Sequence, residues 1–118
     1  MKNMPQDYNK LKVYQEAFFL ATDIYNSLKG MNKDFRIKEQ LTASVTAIFA
    51  NLAEMAAFES KGQIRQKVIT CIAEANETEA WLDYCSKVSI IEQAQYKDFV
   101  ERIRTIRKML YSLLKSME

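Results

Sequence analysis

The stretch Ala43-Ser-Val-Thr-Ala-Ile-Phe-Ala-Asn-Leu-Ala-Glu-Met-Ala-Ala-Phe58 carries a single charge, at Glu54. Its Ala, Leu, Met and Ile favour a helix, it holds neither Pro nor Gly, and it is too long for one buried strand. A helix that is apolar nearly all round has to be covered nearly all round. One small domain leaves part of such a helix bare, so Phe49, Ala53 and Ala56, on faces other than the inner stripe, predict an oligomer interface. Asn51 and Glu54 interrupt the run at i, i+3 spacing; either they bind across that interface, or they satisfy each other or a neighbouring helix end.

Working outward, the chain of 118 residues is long enough for one domain with a core that needs no staples. Gly occurs twice and Pro once, a poverty of turn formers that favours a few long helices over a sheet. The first helix is expected over about 11–29: Leu11, Tyr14, Phe18, Ala21, Tyr25 and Leu28 recur at alternating threes and fours, flanked by Val13, Ala17, Leu20 and Ile24, with Gly30 as the C-terminal stop. The second, over about 35–58, takes its cap from Asn32 or Asp34 and turns Ile37, Leu41, Val45, Ile48, Leu52 and Met55 inward. Ser60 to Gln63 reads as a capping box opening a third helix over 61–86, with the stripe Ile64, Val68, Cys71, Ala75, Thr78, Leu82 and Cys85. Ser89 to Glu92 reads as another, opening a fourth helix over 91–117 with Tyr96, Phe99, Ile103, Ile106, Leu110, Leu113 and Met117 inside. Four amphipathic helices on short links predict an all-α, antiparallel, up-down-up-down four-helix bundle as a single domain over 1–118.

The chemistry expected of it is sparse. No His is present, which removes the commonest general base and metal ligand. The two glycines, Gly30 and Gly62, form no phosphate loop. Glu74, Glu77 and Glu79 do not share one helix side, so no metal site is assigned, and no cofactor is implied. Cys71 and Cys85 lie about 21 Å apart along one helix axis, beyond disulfide reach, and read as buried free thiols. The residues Met1 to Lys10 lack a signal peptide's apolar core, and the Ala43 to Phe58 run is shorter than a membrane span of roughly 20 residues. A cytoplasmic, non-enzymatic protein without a membrane partner is expected.

Seventeen basic and fifteen acidic residues leave no global field, so a nucleic-acid partner would need a local patch. On the fourth helix Lys97, Arg104, Lys108, Tyr111 and Lys115 fall on one side, a basic stripe with one aromatic that is compatible with phosphate contacts. Lys61, Arg65 and Lys67 make the start of the third helix basic; Arg36 and Lys38 are a full helix away. Solvation or pairing with the third helix's carboxylates is the competing account of these cations.

The order of motifs resembles a known family. Leu11-Lys12-Val13-Tyr14-Gln15-Glu16-Ala17 is similar to the Leu-Lys-Val-Trp-Gln-Lys-Ala opening of the 23S rRNA intervening-sequence proteins. Asn51-Leu52-Ala53-Glu54 resembles their Asn-Ile-Ala-Glu-Gly segment, Ser60-Lys61 the opening of their third helix, and Ala75 to Leu82 with Glu79 their Ser-Leu-Ala-Glu-Leu-Glu stretch. The resemblance implies a homopentamer of four-helix bundles with a nucleic-acid role. It is also similar in build to the accessory variability proteins of diversity-generating retroelements, which implies RNA or DNA and a reverse transcriptase as partners; a protein-interaction scaffold is the alternative. Thr42-Ala43 stands where the family carries Arg-Arg, Phe49 where it carries Pro, and Met55 where it carries Gly. The first change removes two cations; the second predicts an uninterrupted helix.

Overall fold

The structure, a computed structural model, describes residues 7–118; the lead containing Pro5 lies outside them. After a 3-10 turn at Tyr8–Lys10 come four helices: α1 Lys12–Leu28, α2 Phe35–Met55, α3 Lys61–Lys87 and α4 Gln93–Lys115. Contacts between α2 and α3 link Ser44 with Thr78, Ile48 with Cys71, and both Asn51 and Glu54 with Lys67. Those between α3 and α4 link Asp83 with Tyr96, Glu79 with Arg104, and Asn76 with Arg107. In both sets residue numbers rise along one helix as they fall along the other, which fixes the antiparallel bundle. Its dimensions, 45 × 21 × 20 Å, follow from the longest helix with the others packed side by side against it.

The inner stripes of α2, α3 and α4 are those the spacing predicts. Leu41, Val45, Ile48, Leu52 and Met55 meet Ile64, Val68, Cys71, Ala75, Leu82 and Cys85, with Phe99, Ile103, Ile106 and Leu110 closing the core. Helix α1 departs from its prediction. The residues read there as flanking, Val13, Ala17, Leu20 and Ile24, are the buried ones, joined by Ala21 and Leu28. Phe18 and Tyr25 are exposed, and Tyr14 is half-buried. Aromatic spacing was satisfied by two neighbouring registers of the helix, and the one with smaller side chains packs against the bundle, leaving the rings on the side towards α2.

The ends also differ. Gly30 has no positive φ, and α1 stops at Lys29 in right-handed geometry, so no glycine cap operates there. Asp34 does stand at the α2 N-cap, but in the left-handed region at φ 57° and without a side-chain bond. α2 ends at Met55; the expected last turn tightens into i→i+3 bonds, Ala57 N–H to Glu54 and Phe58 N–H to Met55, which fold Phe58 back against the core. Ser60 Oγ accepts from Gln63 N–H at 3.4 Å, the forward half of the predicted box. At the α3–α4 link Ser89 is not a cap. It sits at φ 62° as the left-handed residue of a Schellman ending, with Ile90 N–H bonded to Cys85 O at 2.8 Å and Ser89 N–H to Ser86 O at 3.1 Å. Glu92 takes the N-cap of α4, its N–H bonded to the Gln95 side chain at 3.2 Å.

Candidate nucleic-acid interface

At 100° per residue Lys97, Arg104, Lys108, Tyr111 and Lys115 fall within one narrow sector of α4, opposite its buried stripe, and all five are exposed. The ridge runs about 27 Å along the axis. Lys97, Arg104 and Lys108 line an open groove of about 720 Å3, with Tyr96, Val100 and Thr105 as its floor and Glu101 as the one carboxylate among them. No carboxylate pairs with Lys97, Lys108 or Lys115 among the described residues.

Arg104 is committed elsewhere. Its Nε and Nη2 donate to Glu79 Oε2 at 3.1 and 2.8 Å, while Arg107 Nη2 lies 2.8 Å from Glu79 Oε1. Burial raises the Glu79 pKa, but the two guanidiniums outweigh it and hold the carboxylate below its ordinary range. Arg107 also donates to Asn76 Oδ1 at 3.2 Å. This cluster clamps α3 to α4 and takes one charge out of the ridge. On the other flank Arg102 bridges α4 to α1 through Asp23 at 2.8 Å.

The α3 cations separate in the same way. Lys67 turns towards α2, where its Nζ donates to Glu54 at 2.8 Å and Asn51 at 3.1 Å and lies 5.9 Å from the Phe58 ring centroid. Lys61 and Arg65 are exposed, and the α3–α4 register sets them at the end of the bundle where α4 finishes, beyond Lys115. Arg36 and Lys38 belong to the opposite end.

The same Lys67 decides the fate of the predicted interface polar pair: Asn51 and Glu54 are joined to a neighbouring helix within the chain, and Asn51 also donates to Ala47 O at 2.8 Å. Phe49, Ala53 and Ala56 are half-buried. Phe49 packs edge-on against Phe18 at 5.1 Å and Tyr14 at 6.1 Å. Phe18 within this cluster is exposed, as are Phe19, Tyr25 and Phe35 beyond it, the last by 74%. Tyr25 and Phe35 with Thr42 and Ala43 form an apolar groove of about 350 Å3 between α1 and α2.

A second groove, about 580 Å3, lies between α2 and α3, lined by Arg36, Ile37, Gln40, Ala80, Trp81 and Tyr84. No motif in the sequence marks this groove, although Trp81 and Tyr84 stand off the inner stripe of α3. Cys71 completes the inventory. It is fully buried, burial pushes its thiol up to about 12 against the pull of Lys67, and its Sγ donates to Ile48 O at 3.4 Å. A thiol so held is no nucleophile at neutral pH.

The fold and these surfaces define a small four-helix-bundle protein with a basic outer ridge and uncovered aromatic flanks. Comparison narrows the class: the chain belongs to the 23S rRNA-intervening sequence protein family, whose model matches residues 9–112. It is also similar, at 30% identity and a TM-score of 0.81, to a protein of unknown function from the S23 ribosomal protein family of Bacteroides thetaiotaomicron VPI-5482. The match covers 87% of this chain and 98% of that one. No curated protein matches the chain. No helix among the described residues is long and apolar enough to cross a membrane.

Proposed function

We propose that this chain is a non-enzymatic, self-assembling bundle that contacts nucleic-acid phosphates through the outer ridge of α4. The observation that carries the reading is the alignment of Lys97, Lys108 and Lys115, exposed and without ion-pair partners among the described residues, on either side of exposed Tyr111. Cations spaced along a helix suit a phosphate backbone, and a ring alongside them offers a face on which an unpaired base stacks. Lys61 and Arg65 extend the ridge at one end. Assembly is supported by the exposed rings Phe18, Phe19, Tyr25 and Phe35 on α1 and α2, an apolar surface of the kind that marks interaction sites. The family resemblance implies five copies, and repetition of the ridge would raise weak contacts by avidity.

A scaffold that binds only protein is the second reading. It is favoured by the commitment of Arg104 and Lys67 to internal carboxylates and by Thr42-Ala43 in place of two arginines. In the retroelement form of the first reading, a reverse transcriptase is the protein partner, and a gene for one beside this gene would favour it.

The experiment is fluorescence-anisotropy titration of structured RNA, duplex DNA and single strands with the mass-characterised protein at low and near-physiological salt. Binding that weakens steeply with salt is expected. Absence of binding at low salt would sink the ridge reading and leave the scaffold.

A further inference from the structure

We infer that the α4 ridge takes an unpaired strand in preference to a duplex, with one base stacked on Tyr111 between phosphates held by Lys108 and Lys115. The inference rests on the ridge reading above and names the form of nucleic acid that fits it.

The cations run in single file. At 100° per residue Lys97, Lys108 and Lys115 lie within about 20° of one another around α4, a straight line about 27 Å long and one side chain wide. Carboxylates flank that line on both sides. Towards α1, Glu101 has no ion-pair partner among the described residues, and Asp23 and Asp98 share the Arg102 guanidinium at 2.8 and 3.2 Å. Towards α3, Glu79 engages both Arg104 and Arg107, while Asp83 accepts from the Tyr96 hydroxyl at 2.7 Å and has no cation paired with it among the described residues.

A duplex cannot keep clear of those flanks. It sets its second row of phosphates about 6–12 Å across a groove from the first. With one strand on the ridge, the other lies over the carboxylates of α4 and its neighbours and is repelled. The deep, narrow major groove of an RNA duplex, moreover, admits no side chains to read it. An unpaired strand has one row of phosphates and fits a line of cations one side chain wide.

Tyr111 adds a contact that only an unpaired base can make. Its ring is 53% exposed, and no other aromatic ring of the described residues packs on it. Along the axis it stands about 4.5 Å beyond Lys108 and about 6 Å short of Lys115. A nucleotide stacked there has a cation for the phosphate on either side of it. Bases inside a duplex are closed on both faces by their neighbours, whereas a splayed base offers a face to the ring.

The test is fluorescence-anisotropy titration of the full chain at low salt with three probes: an unstructured RNA strand, that strand paired with its complement, and the same sugar–phosphate backbone without bases. The wild type is expected to hold the intact strand about tenfold tighter than either of the others, the scale of stacking one base on a ring. Tyr111→Ala is expected to lose this advantage and Tyr111→Phe to keep it, both with the wild-type salt slope, because no phosphate contact is removed. A duplex or a base-free backbone held as tightly as the intact strand overturns the inference, as does Tyr111→Ala with wild-type affinity; a steep salt dependence in those cases leaves the ridge reading standing. No binding of any probe overturns both. The base-free comparison needs only the wild type, so it decides the inference should Tyr111→Ala lose its helical signal in circular dichroism.

Discussion

Ser89 holds a left-handed conformation that side chains with a Cβ adopt at a cost, because the Schellman ending of α3 requires it. Ser89→Gly is therefore expected to stabilise the fold by about 0.5–1 kcal/mol in urea unfolding, strain relief outweighing the added freedom of the unfolded chain; a loss of stability would contradict the geometry. Gly30 is the converse case. Its φ is not positive and a Cβ there would meet nothing within 4 Å, so Gly30→Ala is expected to gain roughly 0.4–1 kcal/mol, where a true glycine cap would lose stability. Glu79 supplies a pH signature. Its folded pKa is depressed, so its contribution is fully present above the ordinary value of 4.5 and is lost as pH falls through the lower folded value. The stability difference between wild type and Glu79→Gln should be constant from pH 7 to about 5 and shrink in more acid solution. A difference that grew on acidification would refute the clamp.

At the scale of elements, α2 and α3 are joined by a buried polar contact inside an otherwise apolar seam. Ser44 Oγ donates to Leu41 O at 3.0 Å and lies 3.0 Å from Thr78 Oγ1, which is also 2.8 Å from Glu74 O. Removing one hydroxyl, as in Ser44→Ala, is expected to cost about 1–2 kcal/mol, whereas Ser44→Ala with Thr78→Val should cost less than the two single changes summed, since no partner is left wanting. Strict additivity in thermal or urea unfolding would show that the hydroxyls are not coupled. These stripes were legible in the sequence because α2, α3 and α4 each present one apolar register. α1 was not, because its rings and its aliphatic side chains form adjacent registers and only packing chooses between them. The polar pair Asn51 and Glu54 was ambiguous for a related reason: helical spacing fixes their face, but not the Lys67 side chain that arrives from sixteen and thirteen residues away. The α4 ridge was readable residue by residue. That Arg104 is drawn off it to Glu79 depends on the α3–α4 register, which spacing within one helix does not carry.

For the whole molecule, the apolar helix that decides the fold is covered on its inner side and left with Ala43, and with Ala57 in the turn that follows, exposed on the other. Assembly of copies would remove that surface from water while leaving α4, on the far side of α3, turned outward. Phe49→Glu would dissociate an assembly, yet it also strips a ring from the Tyr14 and Phe18 cluster, so a fall in mass accompanied by about 1–3 kcal/mol of lost stability is expected, and unchanged mass would exclude this flank. The proposed function turns on the ridge. The most direct test is the salt dependence of RNA binding by the wild type and by the triple variant Lys97→Ala, Lys108→Ala, Lys115→Ala, at matched oligomer mass. Each phosphate contact contributes about 0.7–0.9 to the slope of log affinity against log salt, so the variant's slope should be shallower by about 2–3 per participating ridge. Equal slopes would mean that α4 does not touch the phosphates.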